Sequence, residues 1–244
     1  MIGSKYINLE SADSTNNYLK QLVISDKPTD GTVVIAREQT EGRGQMGNIW
    51  ESVKEENITL SFVIYPTFLN VSKQFLISKV VSLGIFDFLK NFLPEIKVKW
   101  PNDIYVGDKK IAGVLIENSV LGNKISSSVI GIGININQQK FSEQLLNPTS
   151  LFIETNTTYD IEKLILTLVE HLNKWYKEFM LDQVDKIDID YLSKLYRYQQ
   201  LCKYKAGNEV FNAKIVDIDH FGRLCLVNEK KELRQYAFKE VEFI

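Results

Sequence analysis

Four apolar, β-branched runs most constrain what this chain can fold into: Thr32 to Ala36, Ile58 to Tyr65, Ile111 to Glu117 and Ser128 to Ile136. Their lengths and branching predict strands, several of them buried on both faces, so the chain must place helices over a sheet. Apolar residues recurring at three and four predict those helices. One covers Val71 to Leu93, where Lys73, Gln74, Ser78, Lys79, Ser82, Asp87, Lys90 and Asn91 form a narrow polar stripe on a broadly apolar rod. A second covers Tyr159 to Met180, a third Thr15 to Val23 behind the cap-competent cluster Asp13-Ser14-Thr15-Asn16, and a fourth Asp188 to Tyr196. The expected class is α+β: a central mixed, mostly antiparallel sheet flanked by helices.

From Gln199 the pattern shortens. Alternating runs such as Val210 to Ile218 and Arg223 to Val227 are separated by turn signals at Gly207-Asn208 and His220-Phe221-Gly222. We expect a small C-terminal β-barrel over residues 198–244, after a catalytic domain spanning 1–197.

Composition excludes several classes. With 244 residues and a formal net charge of -2, the chain lacks the basic excess that generic nucleic-acid binding requires. Cys202 and Cys225 are too few and too far apart for a disulfide framework or a zinc site. The opening MIGSKYINLE has no apolar stretch after a basic segment, and no run approaches a membrane span. Together these predict a cytoplasmic protein that binds neither membrane nor DNA. His171 and His220 fall in a helix and a hairpin turn, which argues against a His-based triad.

Four motifs could carry chemistry. Gln39 to Trp50 holds Gly42, Gly44 and Gly47 around Arg43, and reads either as an anion-binding loop or as a surface loop whose glycines serve turns. Lys97 to Asp103, with Lys109-Lys110-Ile111-Ala112-Gly113 behind it, reads either as a rigid presentation of Asn102 and Asp103 or as a turn with its lysines solvated. Gly107-Asp108 would close the hairpin between these two segments. Gly131-Ile132-Gly133-Ile134-Asn135 signals either close approach of a ligand or a bulge. Ser14, Thr15 and Asn16 could hold a polar head group or merely cap a helix.

In this order, STN, GRGxxGxxW, KWPND with KxAG, GIGIN and a small β-domain, the motifs resemble the bacterial biotin protein ligases over almost the whole chain. The resemblance implies a C-terminal barrel like that of Src-homology domains, and an ATP-dependent ligase that forms biotinyl-5'-AMP and pyrophosphate. Biotin then passes to a lysine of a biotin carboxyl carrier domain. It implies biotin contacts from Ser14, Thr15, Asn16, Gln39, Arg43, Gly44, Gln45, Lys110 and Gly113. Nucleotide contacts would come from Gln45, Trp50, Asn102 and Asn135, and Lys110 and Arg43 would be catalytic. Mg²⁺ would arrive with ATP, with Asp103 a weak candidate ligand. A homodimer is compatible with the family. Lipoate or octanoate attachment by the same fold is the rival reading.

Two departures stand out. Gln45, Met46 and Asn48 stand where many relatives carry basic residues, so we expect the adenylate to be held less strongly. The STN motif begins at residue 14, from which we expect the form lacking the DNA-binding domain that some relatives carry.

Overall fold

The computed structural model describes residues 1–244. Seven strands form one mixed sheet: β1 (Lys5–Leu9), β2 (Thr32–Ala36), β3 (Asn57–Ile64), β4 (Ile96–Lys99), β5 (Asp103–Val106), β6 (Lys109–Leu121) and β7 (Lys124–Asn135). Their spatial order is β1-β2-β3-β7-β6-β5-β4, with only the β1–β2 pair parallel. The helices are α1 (Thr15–Ser25), α2 (Phe75–Leu89), α3 (Leu151–Thr155), α4 (Ile161–Met180) and α5 (Val184–Ser193).

Period-two alternation divides the central strands into two chemistries. Leu60, Phe62, Ile130, Ile132 and Ile134 join one 49-residue core with α2 and α4. The opposite residues are small or polar: Thr59 and Ser61 on β3, Gly131 and Gly133 on β7, and Gly113 on β6. Near the β2 side this second face is closed by α1, whose Leu19 packs on Val34, Val63 and Val129. The expectation of strands buried on both faces holds for β3, which is buried throughout. One side, however, faces branched apolar residues while the other has room for a cavity.

The long helix expected from Val71 to Leu93 begins with a 3-10 turn at Val71–Lys73, and α2 itself is shorter. Its polar stripe is not all solvated, because Lys79 and Ser82 are buried, and Lys79 pairs with Asp188 of α5 at 2.8 Å. The expected helix Asp188 to Tyr196 starts four residues earlier and ends three earlier, as α5. Strand β1, short and at an edge, and the five-residue α3 went unread.

A second, antiparallel sheet follows: β8 (Cys202–Ala206), β9 (Glu209–Ile218), β10 (Leu224–Asn228), β11 (Leu233–Tyr236) and β12 (Glu242–Phe243), in the order β11-β10-β9-β8-β12. The turns fall at the expected Gly207-Asn208 and His220-Phe221-Gly222. Tyr204, Ile215, Leu224 and Val241 belong to the same core as the seven-stranded sheet, so apolar packing crosses the boundary. Trp100 donates its indole N–H to the Gly222 carbonyl at 2.8 Å, pinning the two sheets together. No helix is long and apolar enough to cross a membrane.

Candidate active site

The small-residue face of β3, β7 and β6 floors a cavity of about 670 Å³. Gly113 and Gly133 face each other across the β6–β7 ladder, and the register there is unbroken, so these glycines do not mark a bulge. A Cβ on Gly133 would lie 2.2 Å from the Trp50 ring, and one on Gly131 would lie 2.3 Å from Asn16 Oδ1. Close approach of the Trp50 and Asn16 side chains, neither the ligand nor the bulge that the sequence left open, accounts for both.

One wall is the start of α1. Ser14 occupies the N-cap position yet makes no capping hydrogen bond. Thr15 donates its backbone N–H and hydroxyl to Gln39 Oε1 at 2.8 and 3.0 Å. Ser61 Oγ lies 2.7 Å from Thr15 Oγ1 and 2.6 Å from Asn16 Oδ1, while Asn16 Nδ2 donates to Glu117 at 3.0 Å. Helix capping therefore does not account for this motif. The buried Thr15 and Asn16 side chains form a polar network that fixes their orientation.

The glycine loop forms the adjoining rim. Trp50 N–H donates to the Gly42 carbonyl at 2.9 Å and Gly44 N–H to Asn48 at 2.7 Å, closing a small hairpin around Gln45, Met46 and Gly47. Arg43 turns to Asn17 at 2.6 Å and to Glu117 at 3.3 Å. Met46 and Ile49 are exposed.

Opposite stands the turn between β4 and β5, entered through a cis Trp100–Pro101 bond. Asn102 donates Nδ2 to the Val114 carbonyl at 2.7 Å, and its own carbonyl accepts the Val114 N–H. Lys110 Nζ lies 2.8 Å from Asp103 Oδ1 and 5.7 Å from the Trp50 ring centre. That oxygen has no directed hydrogen bond, so the contact is one of charge. Lys99 is not a solvated edge lysine. It donates to Tyr105 Oη at 3.0 Å beneath the Phe243 ring, and burial pushes its ammonium pKa down against the opposing charge of Asp103. Burial, with Asp103, pushes the Tyr105 phenol up, so it stays protonated.

Of the candidate residues, Ser14, Thr15, Asn16, Gln39, Arg43, Gly44, Gln45, Trp50, Asn102, Lys110 and Gly113 all line this one cavity. Asn135 is not among the lining residues. Its Nδ2 is spent on the Thr149 carbonyl at 2.8 Å, and its buried Oδ1 has no partner.

Sequence reasoning missed Ser61, Glu117, Leu146 and the C-terminal contribution of Phe238, Lys239, Val241, Glu242 and Phe243. It also missed Lys99, the one of these with a local signal, its place in KWPND. Four lining cations, Arg43, Lys99, Lys110 and Lys239, face two lining carboxylates, Asp103 and Glu242, a balance suited to an anionic ligand. No cluster of three metal-ligating side chains exists.

The chain as a whole is similar to known proteins. The biotin/lipoate A/B protein ligase family model matches residues 9–135. The bifunctional ligase/repressor BirA of Bacillus subtilis is 27% identical over 230 residues, covering 93% of this chain and 70% of the relative. The human biotin–protein ligase is 28% identical over 255 residues, covering 95% of this chain and 33% of its own. The solved biotin protein ligase from Aquifex aeolicus in complex with biotin and ATP superposes with a TM-score of 0.82 at 25% identity, covering 99% of both chains. By these likenesses, and by the motifs gathered around one cavity, this chain belongs to the biotin/lipoate A/B protein ligase family.

Proposed function

We propose that this chain is an ATP-dependent biotin protein ligase acting on a biotin carboxyl carrier domain in the cytoplasm. The carrying observation is that the STN wall, the glycine loop and the Lys99–Lys110 cluster, far apart in sequence, line one cavity. The full-length likeness to a ligase bound to biotin and ATP supports it.

In this reading the ureido ring of biotin lies against Ser14, Thr15 and Asn16, of which Thr15 and Asn16 are already oriented by Gln39 and Ser61. That preorganised end suits a fused polar ring and disfavours the lipoate reading, whose long aliphatic chain and dithiolane need no such donors. The biotin carboxylate points to Lys110, with Gly44, Gln45 and Gly113 beside it. Its oxygen attacks the α-phosphorus of ATP, an O–P bond forms, and the bond to the bridging oxygen breaks to release pyrophosphate. Two anions must meet, so Lys110, Arg43 and Lys99 lower their repulsion and stabilise the developing charge. Asn102 keeps Oδ1 available as an acceptor at the nucleotide end, and Trp50 covers the glycine floor.

Mg²⁺ would enter with the phosphates, since one or two carboxylates plus phosphate oxygens satisfy it. Asp103 would be the carboxylate to hold it, beside Lys110, and the ion would supply further charge neutralisation. In the second half-reaction the neutral amine of the acceptor lysine attacks the biotinyl carbonyl. An amide forms, AMP leaves with the electrons of the C–O bond, and the amine loses its proton. A closed loop protects the mixed anhydride from water until then. Residues 198–244, as a unit, would contribute the cavity edge near Lys239 and Glu242.

Mass spectrometry of a carrier domain incubated with the chain, biotin and MgATP should show one biotinyl addition on lysine. Lys110→Ala should reduce its rate by at least about 100-fold. ATP–pyrophosphate exchange driven by lipoate and not by biotin would overturn the reading.

A further inference from the structure

We propose that Glu117 is a positioning residue that holds the glycine loop against the body through Arg43. The inference rests on the ligase reading only for its catalytic consequence. Alternation along β6 puts Gly113, Leu115 and Glu117 on one face. The first two line the cavity, whereas Glu117 stands just beyond its edge, beside α1.

There its carboxylate, with a side chain 20% exposed, gathers three donors: Lys20 Nζ at 3.0 Å, Asn16 Nδ2 at 3.0 Å and the Arg43 guanidinium at 3.3 Å. Partial burial pushes this carboxyl up, but the bonds from Lys20 and Asn16 and the Arg43 and Lys20 charges outweigh it, leaving its pKa below the ordinary value. It is therefore ionised at neutral pH.

The loop has little else to hold it. Among residues 43–49, Arg43 makes every side-chain hydrogen bond to the body, to Asn17 and Glu117. Gln45 and Asn48 make none, and Met46 and Ile49 are 70% and 78% exposed. The remaining ties are backbone bonds within the hairpin and between Gly42 and Trp50. One ion pair thus links loop closure to the same carboxylate that orients Asn16 in the polar pocket.

Glu117→Gln tests this, because glutamine keeps an acceptor for Asn16 but loses the charge that holds Arg43. In the ligand-free full chain, amide hydrogen exchange over residues 44–49 should speed up about fivefold, with residues 57–64 unchanged. In the variant loaded with labelled biotin and MgATP, then chased with unlabelled substrates, adenylate release should rise by a similar factor. Lys20→Met removes a donor that does not touch the loop, and its release should be no faster than wild type.

In an Arg43→Met background, Glu117→Gln should add nothing to loop exchange. An equal increment in both backgrounds, or unchanged exchange in the single variant, overturns the proposal. So does slower release with a lower KM for biotin, which would mean that Glu117 withholds Arg43 from substrate. If the wild-type chain forms no adenylate, the ligase reading fails, and the exchange experiment still decides the tether.

Discussion

The start of α1 and the glycine loop border the same cavity, yet they are built in opposite ways. Thr15, Asn16 and Ser61 are buried and bonded to one another, to Gln39 and to Glu117. The loop carries exposed side chains on a hairpin held to the body chiefly through Arg43. A prebuilt pocket recognises its ligand without paying ordering entropy at each encounter, whereas a lightly tethered loop can open for entry and close over a labile intermediate. In the proposed function, recognition would fall to the rigid wall and protection to the lightly tethered loop.

The largest test removes the rigid side. A Cβ at Gly131 would lie 2.3 Å from Asn16 Oδ1, so Gly131→Ala must displace that amide. Biotin-dependent ATP–pyrophosphate exchange should fall by about 100-fold, with overpacking costing roughly 1–3 kcal/mol in denaturant unfolding. Unchanged exchange would show that Asn16 is not part of recognition. Next comes Ser61→Ala, which leaves Thr15 and Asn16 short of a shared partner. We expect a stability loss of about 1–3 kcal/mol and a KM for biotin roughly tenfold higher, with kcat little changed. A fall in kcat alone would assign the network to chemistry.

The loop should respond in kinetics and not in stability. Gln45→Arg restores a positive charge at the cavity rim and should slow adenylate release about threefold, without moving the unfolding midpoint. An unchanged off-rate would show that charge at this position does not govern retention. The smallest effect lies across the cavity. Burial lowers the pKa of Lys99, so its charge is lost at a lower pH than that of an ordinary lysine. Between the two values the unfolded chain binds more protons, hence this group's contribution to stability rises with pH while phosphate affinity falls. The KM for ATP should start to climb at a lower pH than the titration of an ordinary lysine would give, and Lys99→Arg should flatten that climb.

Much of the scaffold was legible because β-branched runs and three-four periodicity report burial directly. The ambiguous cases were those where a residue's neighbour lies far along the chain. Lys79 looked solvated until α5, more than a hundred residues later, covered it with Asp188. Ser14 looked like a cap because its local geometry is that of a cap. Asn135 closed a promising motif, yet its amide faces Thr149. The C-terminal edge at Phe238 to Phe243 carries no local mark of a site, since its role comes only from packing against Lys99 and Trp100.

By itself the sequence determined the central strands and the longer helices, the turns at Gly107, Gly207 and Gly222, and a motif order that pointed to one family, because each depends on neighbours within a few residues or on linear spacing. Tertiary structure decided which face of the central strands became core and which became cavity. It also brought Glu117, Ser61 and Asn16 within hydrogen-bond reach. Those contacts span 45 to 101 residues, and only the register of β3, β7 and β6 beneath α1 brings such distant groups together.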